Sequence, residues 1–194
     1  KTIKVWELST SRCINTFVGH TDMIFSIDII SDDLIVSGSY DKTLKIWRRS
    51  TAECLKTLQG HTDKVLIVIT MNEDTIMSSS YDKSIKTWRL STGECIGSFY
   101  CKSKSRIILL KITDNSIATG TDEIKIWEPI TAKCLATMSG HEQSINNLIM
   151  INNLLLASGS SDCSIKLWNI QTAKCLHTII YSSCVYALLM MSEN

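Results

Sequence analysis

The chain has 194 residues, 44% of them hydrophobic and 20% charged, with a formal net charge of +1. That is enough apolar material for a packed core and too much for a disordered chain, and the charge balance offers no electrostatic footprint for nucleic acid or an anionic membrane. No apolar run approaches the ~20 residues of a membrane-spanning helix. No secretory leader pattern follows Lys1, and a first residue other than Met reads as a piece cut from a longer chain.

Taken in chain order, residues 1–18 read as two strands, the last two of a preceding sheet. After "GHTD" comes "MIFSIDII", an apolar run rich in β-branched residues, and "SDD" then turns the chain. "LIVSGS" is a second short strand, Tyr40-Asp41-Lys42 a tight turn, "TLKIW" a third strand, "RSTAE" another turn and "CLKTL" a fourth strand. Four short strands with close turns predict an antiparallel meander over 19–59, and the pattern recurs over 60–99, 100–139 and 140–180. "YSSCVYALLM" in 181–194 reads as the first strand of one more sheet, and helical periodicity appears nowhere.

The recurrence is written into the residues. "SGSYDKTLKIW" ends at Trp47, "SSSYDKSIKTW" at Trp88 and "SGSSDCSIKLW" at Trp168, with Trp6 and Trp127 in matching phrases. Successive tryptophans are 41, 41, 39 and 41 residues apart, and the Gly-His pairs at His20, His61 and His141 keep the same beat. A period near 40 with Gly-His and a later Trp is a propeller signature. On these residues the chain resembles the WD-repeat β-propeller family over nearly its whole length, although no tryptophan is followed by Asp. The resemblance implies an all-β fold: a β-propeller of four-stranded antiparallel blades, here an incomplete ring with four full blades plus partial blades at both ends, the remaining blades belonging to the same parent chain. One blade cannot bury both its faces alone, so the phrase repeats because each blade meets the same packing problem.

Within the phrase, four polar residues resemble the family's hydrogen-bonded tetrad: His20, Ser37, Asp41 and Trp47, then His61, Ser78, Asp82 and Trp88, then His141, Ser158, Asp162 and Trp168. Trp N–H can donate to Ser, Ser to one His nitrogen, and the other His nitrogen to Asp, which matches the donor and acceptor counts. The third repeat departs, with Tyr100 and Cys101 in place of Gly-His and a turn two residues short before Trp127. Ser, His and Asp together also invite a hydrolase reading. Its threefold recurrence with Trp as a fourth member argues for a structural network instead. No phosphate-cradling loop, metal-ligand spacing or paired-carboxylate motif is present, so neither catalytic residues, metal nor cofactor is expected.

Cys13, Cys54, Cys95, Cys134 and Cys175 each follow a tryptophan by seven residues. Repeat stacking would keep them apart, and they read as buried small hydrophobes in a reducing, intracellular compartment, cytoplasm or nucleus. Lys102, Lys104 and Arg106 form a small basic cluster, either a solvated loop or a phosphate contact.

In the resembled family, partners dock on the face formed by the loops entering the first strand and leaving the second. Two positions per blade fall there: Phe25, Leu66, Ile107 and Asn146 in the first strand, with Tyr186 in the last, incomplete blade, and Tyr40, Tyr81 and Ser161 before the turn aspartate. Aromatic and apolar residues at such positions favour a protein or peptide partner. Phe25, Leu66 and Ile107 have a second reading, as core-face residues of the first strand. The expected function is a non-catalytic protein-interaction scaffold. The alternative is the substrate-recognition propeller of an F-box-type ubiquitin ligase. Its phosphopeptide-reading form would place arginines at these face positions, and this chain has none.

Overall fold

The structure, a computed structural model, describes residues 1–103 and 105–190. Among these are eighteen strands and no helix. The chain divides into two compact units, Lys1–Cys101 and Lys102–Asn194, where the sequence reads as a single array.

In the first unit, β1 (Thr2–Glu7) and β2 (Arg12–Val18) pair as a two-stranded antiparallel sheet. β3 (Ile24–Ser31), β4 (Leu34–Ser39), β5 (Leu44–Arg48) and β6 (Cys54–Leu58) form a four-stranded meander, as do β7 (Val65–Asn72), β8 (Thr75–Ser80), β9 (Ser84–Arg89) and β10 (Cys95–Tyr100). Acidic turn residues tie the connections together. Asp33 accepts from the Ser50 backbone N–H (2.8 Å) and hydroxyl (3.0 Å), and Asp74 does the same with Ser91 at 2.6 and 2.9 Å. The second strand of each meander is buried almost throughout while the fourth is only partly covered, as expected when apolar faces are covered by neighbouring sheets and the outer edge is not.

Two apolar clusters hold this unit together. One joins Ile3 and Phe17 of the first hairpin to Ile35 and Trp47 of the next sheet, with Phe17 and Trp47 edge to face at 5.7 Å. The other takes Val36, Leu44, Ile46 and Leu58 from one meander and Val65, Val68, Ile76 and Trp88 from the next. Each such side chain contributes roughly 1.5–3 kcal/mol on burial. The glycine before each histidine is needed for close approach: a Cβ on Gly19 or Gly60 would lie 3.1 Å from the indole of Trp47 or Trp88. Polar staples cross the same seams. Asn15 Nδ2 donates to the Arg49 and Ser50 carbonyls (2.7 and 3.2 Å), and Lys56 Nζ donates to those of Leu90 and Ser91, both at 2.6 Å.

Thr87 is a misfit. It is buried in β9, yet its hydroxyl has no partner among the described residues. The residue before tryptophan is Ile46, Ile126 or Leu167 in the other meanders. A buried hydroxyl without a hydrogen bond is destabilising. Thr87→Val, which keeps the shape, is therefore expected to raise stability by about 1–2 kcal/mol, read as a higher denaturation midpoint at unchanged slope. An equal or lower midpoint would mean that the hydroxyl has a partner.

In the second unit, β11 (Ile108–Thr113), β12 (Ser116–Gly120), β13 (Ile124–Glu128) and β14 (Lys133–Met138) form one meander, and β15 (Ile145–Met150), β16 (Leu155–Ser160), β17 (Ser164–Asn169) and β18 (Lys174–Ile180) the other. They pack through Gly120, where a Cβ would fall 2.9 Å from Ile145. Residues 181–190, read from sequence as a further strand, form none. Their backbone has no ladder partner beyond single bonds such as Val185 N–H to Ser160 O (2.9 Å), and a strand exists only through the neighbour it pairs with.

The cysteines also differ from expectation. Cys13, Cys54, Cys95, Cys134 and Cys175 are exposed, not buried. They stand on β2, β6, β10, β14 and β18, the outermost strand of each sheet. Each thiol turns back to the carbonyl two residues on, at 3.2–3.6 Å. Cys101 is the buried one.

Candidate functional site

Three polar networks are assembled by the same local geometry. The tight turn after the second strand places a left-handed residue, Lys42 (φ 71°), Lys83 (68°) or Cys163 (66°), after each aspartate. That turn brings the aspartate back under the histidine of the Gly-His pair. Trp47 N–H donates to Ser37 Oγ at 2.8 Å, Ser37 Oγ lies 2.7 Å from His20 Nε2, and His20 Nδ1 lies 2.7 Å from Asp41 Oδ2. The second set has 2.8, 2.8 and 2.8 Å through Trp88, Ser78, His61 and Asp82. The set of Trp168, Ser158, His141 and Asp162 has 2.8, 2.6 and 2.7 Å. With Nδ1–H donating to aspartate, Nε2 is left to accept the serine proton, so each chain of donors is satisfied end to end.

Each network has a fifth member not singled out in the sequence. Thr43, Ser84 and Ser164 donate their hydroxyls to the other aspartate oxygen, all at 2.6 Å. The signal was there as Asp-x-Ser/Thr in "DKT", "DKS" and "DCS". Backbone N–H groups of Thr21, Thr62 and Glu142 complete the shell at 2.9–3.0 Å. Ser37, Ser78 and Ser158 are fully buried, and each accepts an indole N–H.

The third repeat keeps half of this arrangement. Trp127 N–H donates to Thr119 Oγ1 at 2.9 Å, and Cys101, which takes the histidine's place in the sequence, is buried. Asp122 is exposed and accepts from the hydroxyls of Ser103 (3.3 Å) and Ser105 (2.7 Å) instead. Of the basic cluster, Arg106 spends a guanidinium N–H on the Asn146 carbonyl (3.0 Å) and Lys102 is exposed, while Lys104 lies outside the described residues.

The candidate docking positions separate into two kinds. A β-bulge interrupts the first strand between Ile24 and Ser26, Val65 and Ile67, and Ile145 and Asn147, leaving Phe25, Leu66 and Asn146 as the extra residues. Bulges re-aim a side chain. Phe25 emerges 42% exposed and stacks on Tyr40, centroids 5.6 Å apart and rings 14° from parallel. The Tyr40 ring also carries Lys64 Nζ, 4.7 Å from its centroid. Tyr81 is 42% exposed in the equivalent turn. Backbone bonds anchor both turns to the strand entries, Tyr40 N–H to Met23 O (2.8 Å) and Tyr81 N–H to Lys64 O (3.0 Å). Leu66 and Ile107, by contrast, are 1% and 0% exposed. These aliphatic side chains find apolar cover and are driven inside, and they leave the candidate surface. Asn146 bonds Ser161 Oγ (2.9 Å) and the Val185 carbonyl (3.1 Å), so that pair is occupied internally. Lys64 was missed because a lone lysine after "HTD" carries no signal until its ring partner is known.

A family model described as "WD domain, G-beta repeat" matches residues 11–48, 52–89 and 132–169, together more than half of the chain. The chain belongs to the WD40 repeat family. The matched stretches leave out 90–131, where the WD40 pattern loses its histidine and its turn. "Nuclear distribution protein PAC1" of Candida glabrata is 45% identical over 40 residues, a stretch that is 21% of this chain and 8% of that relative's length. The five sheets are thus blades of an incomplete WD40 propeller, and WD40 repeats generally serve as protein-interaction scaffolds.

The WD40 networks also set a pH response. Burial holds His20, His61 and His141 below the ordinary imidazole value, outweighing the pull of their aspartates. For Asp82 burial pushes upward, but hydrogen bonds from Ser84, Thr62 and His61 outweigh it and bring the carboxyl down to about 2. Asp41 and Asp162 are lowered in the same way. A histidine lowered on folding binds its proton more readily unfolded, so stability is lost as pH falls below about 6.5, at up to about 1.4 kcal/mol per pH unit and group. A depressed carboxylate gives stability that is present above about 4 and lost as pH falls further. Melting temperature is therefore expected to decline from pH 7 to 5 and more steeply below 4. A flat profile from pH 7 to 5 would show that folding does not lower the proton affinity of the histidines.

Proposed function

We propose that this chain is a non-catalytic, intracellular scaffold that docks a protein or peptide segment on the Phe25, Tyr40, Lys64 and Tyr81 face of its first unit. The observation that carries this reading is the aromatic stack: half-buried Tyr40 stacked on exposed Phe25, with the Lys64 ammonium over its ring and Tyr81 exposed in the equivalent turn next along. Rigid aromatic surfaces lose little conformational freedom on binding and suit a few apolar anchors of an extended segment. The patch is otherwise aromatic and apolar. Lys64 gives it one cation, which favours an acidic residue beside the anchor and weakens with salt. The intracellular setting is supported by the name of the relative with the matched 40-residue stretch, a nuclear distribution protein. The remaining blades of the same chain would cover the apolar surface left open on β18 and on β3.

The test is selection of a displayed random-peptide library on the full-length protein. Enriched segments are expected to carry an aromatic or aliphatic anchor flanked by Asp or Glu, and to be lost on Tyr81→Ala. Enrichment of basic segments, or binding indifferent to Tyr81, would place the docking surface elsewhere.

A further inference from the structure

Three of the eight cysteines stand apart from the one-per-blade row: Cys101, which is buried, and Cys163 and Cys184, which are partly buried. Cys163 occupies the left-handed turn position held by Lys42 and Lys83 in the other complete repeats. Cys184 lies in the segment 181–190 that follows β18. That segment returns past the same turn: Tyr181 N–H donates to Cys163 O at 2.8 Å and Val185 N–H to Ser160 O at 2.9 Å. The two thiols converge on one acceptor. Cys163 Sγ is 3.8 Å and Cys184 Sγ 3.3 Å from the Ser161 carbonyl, and the two side chains are within hydrogen-bonding reach of one another. Both are partly buried and free. Cys184 also lines an open cavity of about 340 Å³ with Tyr181, Val185 and Tyr186.

We infer that Cys163 and Cys184 form a reversible disulfide under mild oxidation by a peroxide, covalently clasping segment 181–190 to the turn that carries Ser161. The Cys184 thiolate, reached through the cavity, attacks a peroxide oxygen. The O–O bond breaks, hydroxide leaves as water once protonated, and a sulfenic acid forms. The Cys163 sulfur then attacks that sulfur, the S–O bond breaks, and a second water leaves carrying the thiol proton. Two electrons pass from the two thiols to the peroxide, and a dithiol reductant reverses the change. Burial, and then the contact with Cys184, push the Cys163 thiol up, which fits it to the resolving role and not to first attack. The exposed strand cysteines stand one to a sheet, so no two of them share a blade. The bond would close the chain across β17 and β18 and hold the Asn146, Ser161 and Val185 corner in place.

The test uses the full-length protein treated with hydrogen peroxide, alkylated while unfolded and digested. A cross-linked peptide pair joining Cys163 to Cys184, two hydrogens lighter than the reduced pair, is expected and should vanish with dithiothreitol. Oxidised protein should melt several degrees higher and resist proteolysis within 181–190. Cys184→Ser should abolish both effects while the reduced variant melts like the reduced parent. Recovery of sulfenic or sulfinic acid on Cys184 with Cys163 still free, or of cross-links among Cys13, Cys54, Cys95, Cys134 and Cys175 instead, would overturn the pairing.

Discussion

Asp82→Ala is expected to cost about 3 kcal/mol of stability. Asp82 accepts four hydrogen bonds: from His61 Nδ1 (2.8 Å), the Thr62 backbone (2.9 Å), the Ser84 backbone (2.8 Å) and the Ser84 hydroxyl (2.6 Å). Its side chain is 9% exposed and that of His61 is 0% exposed. Removing the carboxylate leaves buried donors with no acceptor, and the loss then runs up the chain to Ser78 and Trp88. An unmade buried hydrogen bond costs more than a made one returns, and partly satisfied networks are the costly ones. The internal control is Asp122→Ala in the irregular repeat, where the carboxylate is exposed and accepts from two serine hydroxyls. That change should cost less than about 1 kcal/mol. The same pair of variants separates packing from charge. Asp82→Ala should also flatten the acid limb of the stability profile, because its carboxyl is held at about 2 in the fold. Equal melting temperatures for parent and Asp82→Ala would show that the network carries no stability.

The double change Tyr40→Ala with Tyr81→Ala is expected to weaken the docked segment at least tenfold, which is about 1.4 kcal/mol, while the fold persists. The two residues contribute differently. Tyr81 is 42% exposed and its ring is free for a ligand, so Tyr81→Ala should act on affinity with little effect on melting. Tyr40 is stacked on Phe25 and capped by Lys64, so Tyr40→Ala should also cost about 1 kcal/mol of stability. Titration of a selected peptide against the single and double variants, alongside their melting curves, checks both. Affinity unchanged in the double variant, with loss on Leu66→Ala through unfolding alone, would mean that the aromatic face is ornamental surface.

The period, the four-strand repeat and the WD40 family were legible in the sequence because they rest on local pattern: short β-branched runs, turn residues at set offsets, and a Trp every 39 or 41 residues. His20, Ser37, Asp41 and Trp47 could be grouped because donor and acceptor counts close on one another whatever the exact path of the chain. Other features depended on what lies opposite a residue, which no local pattern records. Phe25 and Leu66 occupy the same bulge position, yet one stacks in the open on Tyr40 and the other is 1% exposed. Cys54 and its counterparts look like core residues until the outermost place of the fourth strand turns them to solvent. Lys64 becomes part of a site only when the turn of the preceding blade sets a ring beneath it. Cys163 and Cys184, 21 positions apart, meet only because segment 181–190 returns past the turn after β16. Strand pattern follows from the backbone and its nearest neighbours in sequence. Exposure, ring stacking and thiol pairing follow from contacts between strands far apart in the chain, and these exist only once the sheets have packed.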